Sequence, residues 1–193
     1  MRAEASVESA QPLPGDFAIW IFIFAELLVF GVLFAAYAFA RNTHLDLFNA
    51  SQLTLNRTYG FANTLVLVTS GYFVARAAQS IKAGRGTTCG NWLAGALGLG
   101  GVFLVLKLLE FRQDFAQGIT LSTNLFYMFY LSLTFFHFMH VVMGMAILAV
   151  VACKAYAGRY SAGNHAGVET GGSYWHMVDL VWIILFALVY VIH

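Results

Sequence analysis

Glu26, Lys107, Glu110, His137, His140, His176 and Asp179 each stand inside or against a long apolar run of this chain. An ionisable side chain in hydrocarbon is costly, so each of these needs a partner or a task. Three chemistries are open to such a set: proton exchange, metal ligation, and a hydrogen-bonded network that fixes helix contacts. His137 and His140 are three apart and share a helix face, as do His176 and Asp179. Histidine and carboxylate on facing helices build di-iron centres, but those centres use Glu-x-x-His on two helices plus two further glutamates. The chain has no Glu-x-x-His. The expectation is therefore a buried polar network of His137, His140, His176 and Asp179, with no catalytic residue and no metal. A membrane metalloenzyme using His137, His140, His176 and Glu26 is the alternative. Haem ligation by His137 or His140 is open in principle, although two histidines three apart on one helix face a single partner rather than bracket a ring.

Glu26 lies nine residues into its run, about 14 Å along a helix and near the bilayer middle. Two readings stand for it: a proton-linked or partner-facing acid, and a neutral acid hydrogen-bonded to a neighbouring helix. Lys107 and Glu110 share a face near the outer end of their helix and form an expected ion pair, with Arg112 and Asp114 just beyond. That position suggests an interfacial anchor whose lysine snorkels to water. Trp20, Trp92 and Trp175 fall near inner helix ends, as an aromatic belt predicts, while Trp182 lies deeper and reads as packing. No GxSxG elbow and no Walker loop occurs. Cys89 and Cys153 have neither CxxC nor metal spacing and read as free thiols.

The elements that must position these residues are membrane helices. The 193 residues are 60% hydrophobic and 10% charged, against about 25% charged in a soluble domain. A net charge of +1 gives no pull toward nucleic acid. Five apolar runs, 17–40, 60–79, 92–111, 124–156 and 174–192, each reach the roughly 20 residues a helix needs to cross hydrocarbon. They lack the alternation of a barrel. The expected fold is an all-α bundle of five transmembrane helices over 17–193, preceded by a polar tail over 1–16. Asp16, and the Ser122–Asn124 stretch, are candidate caps. Gly84 and Gly86 mark a break after the second helix, and Gly158, Gly163, Gly167, Gly171 and Gly172 mark a loop before the fifth. Gly95, Gly98, Gly100 and Gly101 crowd the third helix and allow close approach of a neighbour. A cleaved leader ending at Ala38-Phe39-Ala40 is disfavoured, because its apolar run is too long and Glu26 interrupts it. Arg2, Arg76, Lys82, Arg85, Lys154 and Arg159 flank one side, against Arg41, Arg57, Lys107 and Arg112 on the other. This bias puts the N-terminus in the cytoplasm and the C-terminus in the periplasm. A transporter is disfavoured by the lack of an inverted repeat.

Four segments carry a resemblance: Phe24-Ala25-Glu26-Leu27-Leu28-Val29-Phe30, Ala62-Asn63-Thr64-Leu65-Val66-Leu67, Phe136-His137-Phe138-Met139-His140-Val141, and Trp175-His176-Met177-Val178-Asp179-Leu180-Val181-Trp182. In this order they resemble subunit III of the haem-copper oxidases in its five-helix form. The stretch Gly163 to Gly171, with Gly118-Ile119-Thr120 and Met128-Phe129-Tyr130, is similar to the NorE-type accessory protein of nitric oxide reductase. The resemblance implies a non-catalytic subunit in a bacterial inner membrane, packed beside a haem-bearing catalytic subunit that holds the haem and copper or iron. It implies no cofactor in this chain, bound structural phospholipid, and assembly, stability or proton-path support as the role. On that analogy Glu26 faces the catalytic partner, and His137, His140, His176 and Asp179 brace the bundle. The expected partner is nitric oxide reductase, with a terminal cytochrome c or quinol oxidase as the alternative.

Overall fold

The computed structural model describes residues 17–192, and their regular elements are helices, with one isolated antiparallel bridge between Ser161 and Asn164. The polar tail, the Asp16 cap and Arg2 lie outside the described residues. In chain order the helices are α1 (Phe17–Thr43), α2 (Leu45–Gln52), α3 (Arg57–Lys82), α4 (Gly86–Ala116), α5 (Leu125–Tyr156) and α6 (Ala166–Phe186), which runs on into a π-helical turn, Ala187–Val191.

α1, α4, α5 and the continuous Ala166–Val191 helix are long and apolar enough to cross a membrane. The composition thus yields four such helices where five runs were expected. α3 is the difference. Its 26 residues reach about 39 Å, but Asn63, Ser70 and Ser80 lower its apolar content. These three are buried against the other helices, whereas Leu65, Val68 and Tyr72 point outward.

α3 and α4 form an antiparallel hairpin, and α6 lies between α3 and α5. α6 is buried on most sides, with Tyr174, Trp175, Val178, Val181, Trp182 and Leu185 all in the core. α1 differs. Its buried residues, Ile23, Phe30, Tyr37 and Ala40, recur every three to seven positions, so a single stripe packs on α5 and α6 while most of the helix stays uncovered.

The helix ends follow local chemistry. Asn124 caps α5 by accepting from the Tyr127 N–H at 2.9 Å, and Asn56 caps α3 through the Thr58 N–H at 3.1 Å. α3, α4 and α5 each stop at a glycine with positive φ: Gly84, Gly118 and Gly158. In each case the next residue's N–H reaches back to a carbonyl five residues earlier, as Arg85 does to Ser80 at 3.0 Å. This left-handed termination favours glycine because it has no Cβ.

Two sequence expectations are corrected. α6 begins at Ala166, so Gly167, Gly171 and Gly172 are helical rather than loop. A Cβ on Gly171 would meet Val151, and one on Gly172 would meet Val74, so these glycines allow neighbours to approach closely. Of the four glycines that crowd the middle of α4, Gly95 lies against Phe73 and Gly100 against Trp175 and Met145, while Gly98 and Gly101 face open space. Trp175 is fully buried against Gly100 and Gly144 rather than set in an interfacial belt.

Candidate functional site

α1 and α5 bring Glu26 to His140. Phe30, one turn beyond Glu26, packs on Phe136 and on the His140 ring, each at 5.1 Å between centroids. This contact aims the imidazole, and Nε2 of His140 lies 3.0 Å from Oε2 of Glu26. Nδ1 of His140 lies 2.8 Å from the Phe136 carbonyl oxygen, which can only accept. Nδ1 therefore carries a hydrogen. One more proton must then lie on the Nε2–Oε2 contact, as neutral acid with imidazole or as carboxylate with imidazolium. Glu26 remains partly open to the surface beside α1.

His137 points elsewhere. Its Nε2 donates to the Val178 carbonyl oxygen of α6 at 3.2 Å. Its ring is fully buried between Phe103 and Trp182, at 5.7 Å and 5.1 Å. Trp182 in turn donates from Nε1 to the Thr64 hydroxyl of α3 at 3.0 Å. Nδ1 of His137 and both amide atoms of Asn63 are buried without a hydrogen-bond partner.

His176 and Asp179 pair across one turn of α6, with Nδ1 and Oδ2 3.6 Å apart. The expected single network of His137, His140, His176 and Asp179 is corrected to three separate contacts. The cause is angular: His137 and His140 share a broad face but reach different neighbours, and His176 is half exposed. His176 and Asp179 also sit in the middle of α6, not in its first turns, because the helix starts earlier than expected. Asp179 lies against Gly71 of α3, where a Cβ would collide with its carboxylate. The ligand set of the metalloenzyme alternative does not converge, since His137, His140 and His176 face different partners.

Lys107 and Glu110 form their ion pair at 2.9 Å, yet both are buried. The expected snorkelling anchor is corrected. Lys107 instead donates to the Tyr190 hydroxyl at 3.0 Å, and the rings of Phe111, Tyr130, Trp182 and Tyr190 surround its ammonium at 4.9–5.7 Å. Tyr190 donates to Oε1 of Glu110 at 2.7 Å. The Tyr130 hydroxyl lies 3.1 Å from the same Glu110 oxygen and 3.0 Å from Oδ2 of Asp114. Sequence reasoning missed Tyr130 and Tyr190; the signal available was tyrosine inside otherwise apolar runs. It also missed Gln52, which donates to the carbonyl oxygens of Leu188 and Val189 at 3.1 Å and 3.0 Å. The terminal π turn departs from the ordinary helical ladder at these carbonyls, and α2 supplies the donor.

The sequence pattern of cytochrome c oxidase subunit III matches residues 14–193. Cytochrome c oxidase subunit 3 of Thermostichus vulcanus is 34% identical over 175 residues, covering 89% of this chain and 84% of that protein. The subunit 3 of Synechocystis sp. is 32% identical over 177 residues, covering 91% of this chain and 75% of that protein. The subunit 3 of Arabidopsis thaliana is 32% identical over 130 residues, which are 67% of this chain and 48% of that protein. These three relatives are each named as an oxidase subunit. The chain belongs to the cytochrome c oxidase subunit III family, a multi-pass, non-catalytic component of an oxidase whose catalytic centre lies in another chain.

Proposed function

We propose that the chain is subunit III of an oxygen-reducing haem-copper oxidase in a bacterial cytoplasmic membrane. The observation that carries this reading is the likeness to the two cyanobacterial subunits over most of the chain. The chain binds no redox cofactor of its own and packs beside the haem-bearing catalytic subunit, with phospholipid against its uncovered faces. α3 acts as a fifth span alongside α1, α4, α5 and α6. This is supported by its length and by its inward-turned polar side chains. The N-terminus is cytoplasmic and the C-terminus periplasmic, in keeping with the basic residues at the α3–α4 and α5–α6 turns.

Glu26 is supported as the partner-facing acid by its place on the least covered helix and its contact with His140. The second reading, an accessory chain of nitric oxide reductase, rests on the resemblance carried by residues 163–171. Affinity purification of the tagged chain from gently solubilised native membranes separates the two. The expected result is co-purification with a haem-copper catalytic subunit and oxygen consumption. Recovery with a nitric-oxide-consuming enzyme would favour the second reading. Recovery of the chain alone, with candidate partners expressed, would end both.

A further inference from the structure

In the Lys107 cluster the Tyr130 hydroxyl has two carboxyl contacts and one proton of its own to fill them. Lys107 donates to Oε2 of Glu110 and to the Tyr190 oxygen, and Tyr190 donates to Oε1 of Glu110. The Tyr130 oxygen then lies 3.1 Å from Oε1 of Glu110 and 3.0 Å from Oδ2 of Asp114. A tyrosine hydroxyl has one proton to donate, and an ionised carboxylate only accepts. Two full hydrogen bonds from this oxygen to two carboxyl groups therefore require a proton on one of them. Glu110 already accepts from an ammonium and a hydroxyl, a donor set suited to an anion. The carboxyl of Asp114 has Tyr130 as its side-chain partner. Charge agrees: Lys107 balances Glu110, and an ionised Asp114 would bring a second negative charge to a cluster that holds one cation.

We propose that this cluster is a proton-binding site, in which Asp114 carries one exchangeable proton and donates it to Tyr130 while Tyr130 donates to Glu110. The residues lie on three elements, α4, α5 and the terminal π turn. Asp114 is only half buried at the last turn of α4, so water at that end of the bundle can supply and receive the proton. Other titratable or charged groups around the site are few. His137 of α5 lies beyond the Trp182 ring. Tyr59 of α3 accepts from Gln113. Arg57 of α3 and Arg112 of α4 are exposed at the same end. Loss of the proton would leave Tyr130 able to serve one carboxylate only, and would loosen the α4–α5 contact.

Infrared difference spectroscopy on the intact complex tests this. Complexes carrying the native chain and Asp114→Asn are compared in H2O and D2O. The expected result is the loss of one protonated-carboxyl C=O band, which shifts on deuteration in the native complex. Retention of every such band in Asp114→Asn overturns the proposal, as does loss of the band in Glu110→Gln but not in Asp114→Asn. If Asp114→Asn does not assemble, Tyr130→Phe is read instead. It removes the acceptor and is expected to shift the band, and an unmoved band overturns the proposal.

Discussion

Glu26 and His140 show how a membrane acid can be held without an ion of fixed sign. Because Nδ1 of His140 is committed to the Phe136 carbonyl, the Glu26 side needs only to offer or accept one proton at Nε2. An amide can also donate there. Glu26→Gln is therefore expected to assemble at the native level, whereas Glu26→Leu strands Nε2 and costs about 1–3 kcal/mol. Subunit retention during detergent purification, with thermal melting of the complex, checks this pair. Lys107 presents the opposite case. Lys107→Met leaves Glu110 buried without its cation, a loss of about 3–5 kcal/mol, and is expected to abolish stable assembly. The double variant Lys107→Met/Glu110→Gln removes both charges and is expected to recover much of the yield. Equal yields for the single and double variants would contradict the buried pair.

Small residues govern how closely the elements pack. Gly144 of α5 faces the rings of Trp175 and Tyr174, where a Cβ would lie 2.9 Å from the indole. Gly144→Val is expected to displace α6 and cost about 1–3 kcal/mol. Gly98→Ala and Gly101→Ala, which meet open space, are expected to leave the melting temperature unchanged. Differential scanning of the solubilised chain distinguishes the two outcomes. The pattern of apolar runs made all five long helices legible, four of them apolar enough to cross a membrane, because crossing hydrocarbon demands a length and composition that a sequence displays directly. The start of α6 was not legible. Glycines at 167, 171 and 172 read locally as loop, and only their neighbours Tyr160, Val151 and Val74 show them to be sites of close packing, Gly171 and Gly172 against α5 and α3. α2 escaped notice for a related reason: at 8 residues it is too short to carry a clear period, and its Gln52 matters only through the distant carbonyls it reaches.

At the scale of the molecule, orientation is the property to test. Single cysteines replacing Arg159, in the α5–α6 turn, and Thr120, in the α4–α5 turn, are both exposed. A membrane-impermeant thiol reagent is expected to reach position 159 only from the cytoplasmic face and position 120 only from the periplasmic face. Labelling of both from one side would refute five spans, since these turns lie at opposite ends of α5. The residue types and their order determined that the chain belongs in a bilayer, which helices carry ionisable groups, and which family it resembles. Burial pressure acts on each side chain separately and leaves its mark in composition. The tertiary structure alone decided the pairings: Glu26 with His140, His137 with the Val178 carbonyl, and Lys107 with both tyrosines. Those depend on the rotation and depth of one helix against another, set by glycine and aromatic contacts far apart in the chain, and no local spacing encodes them.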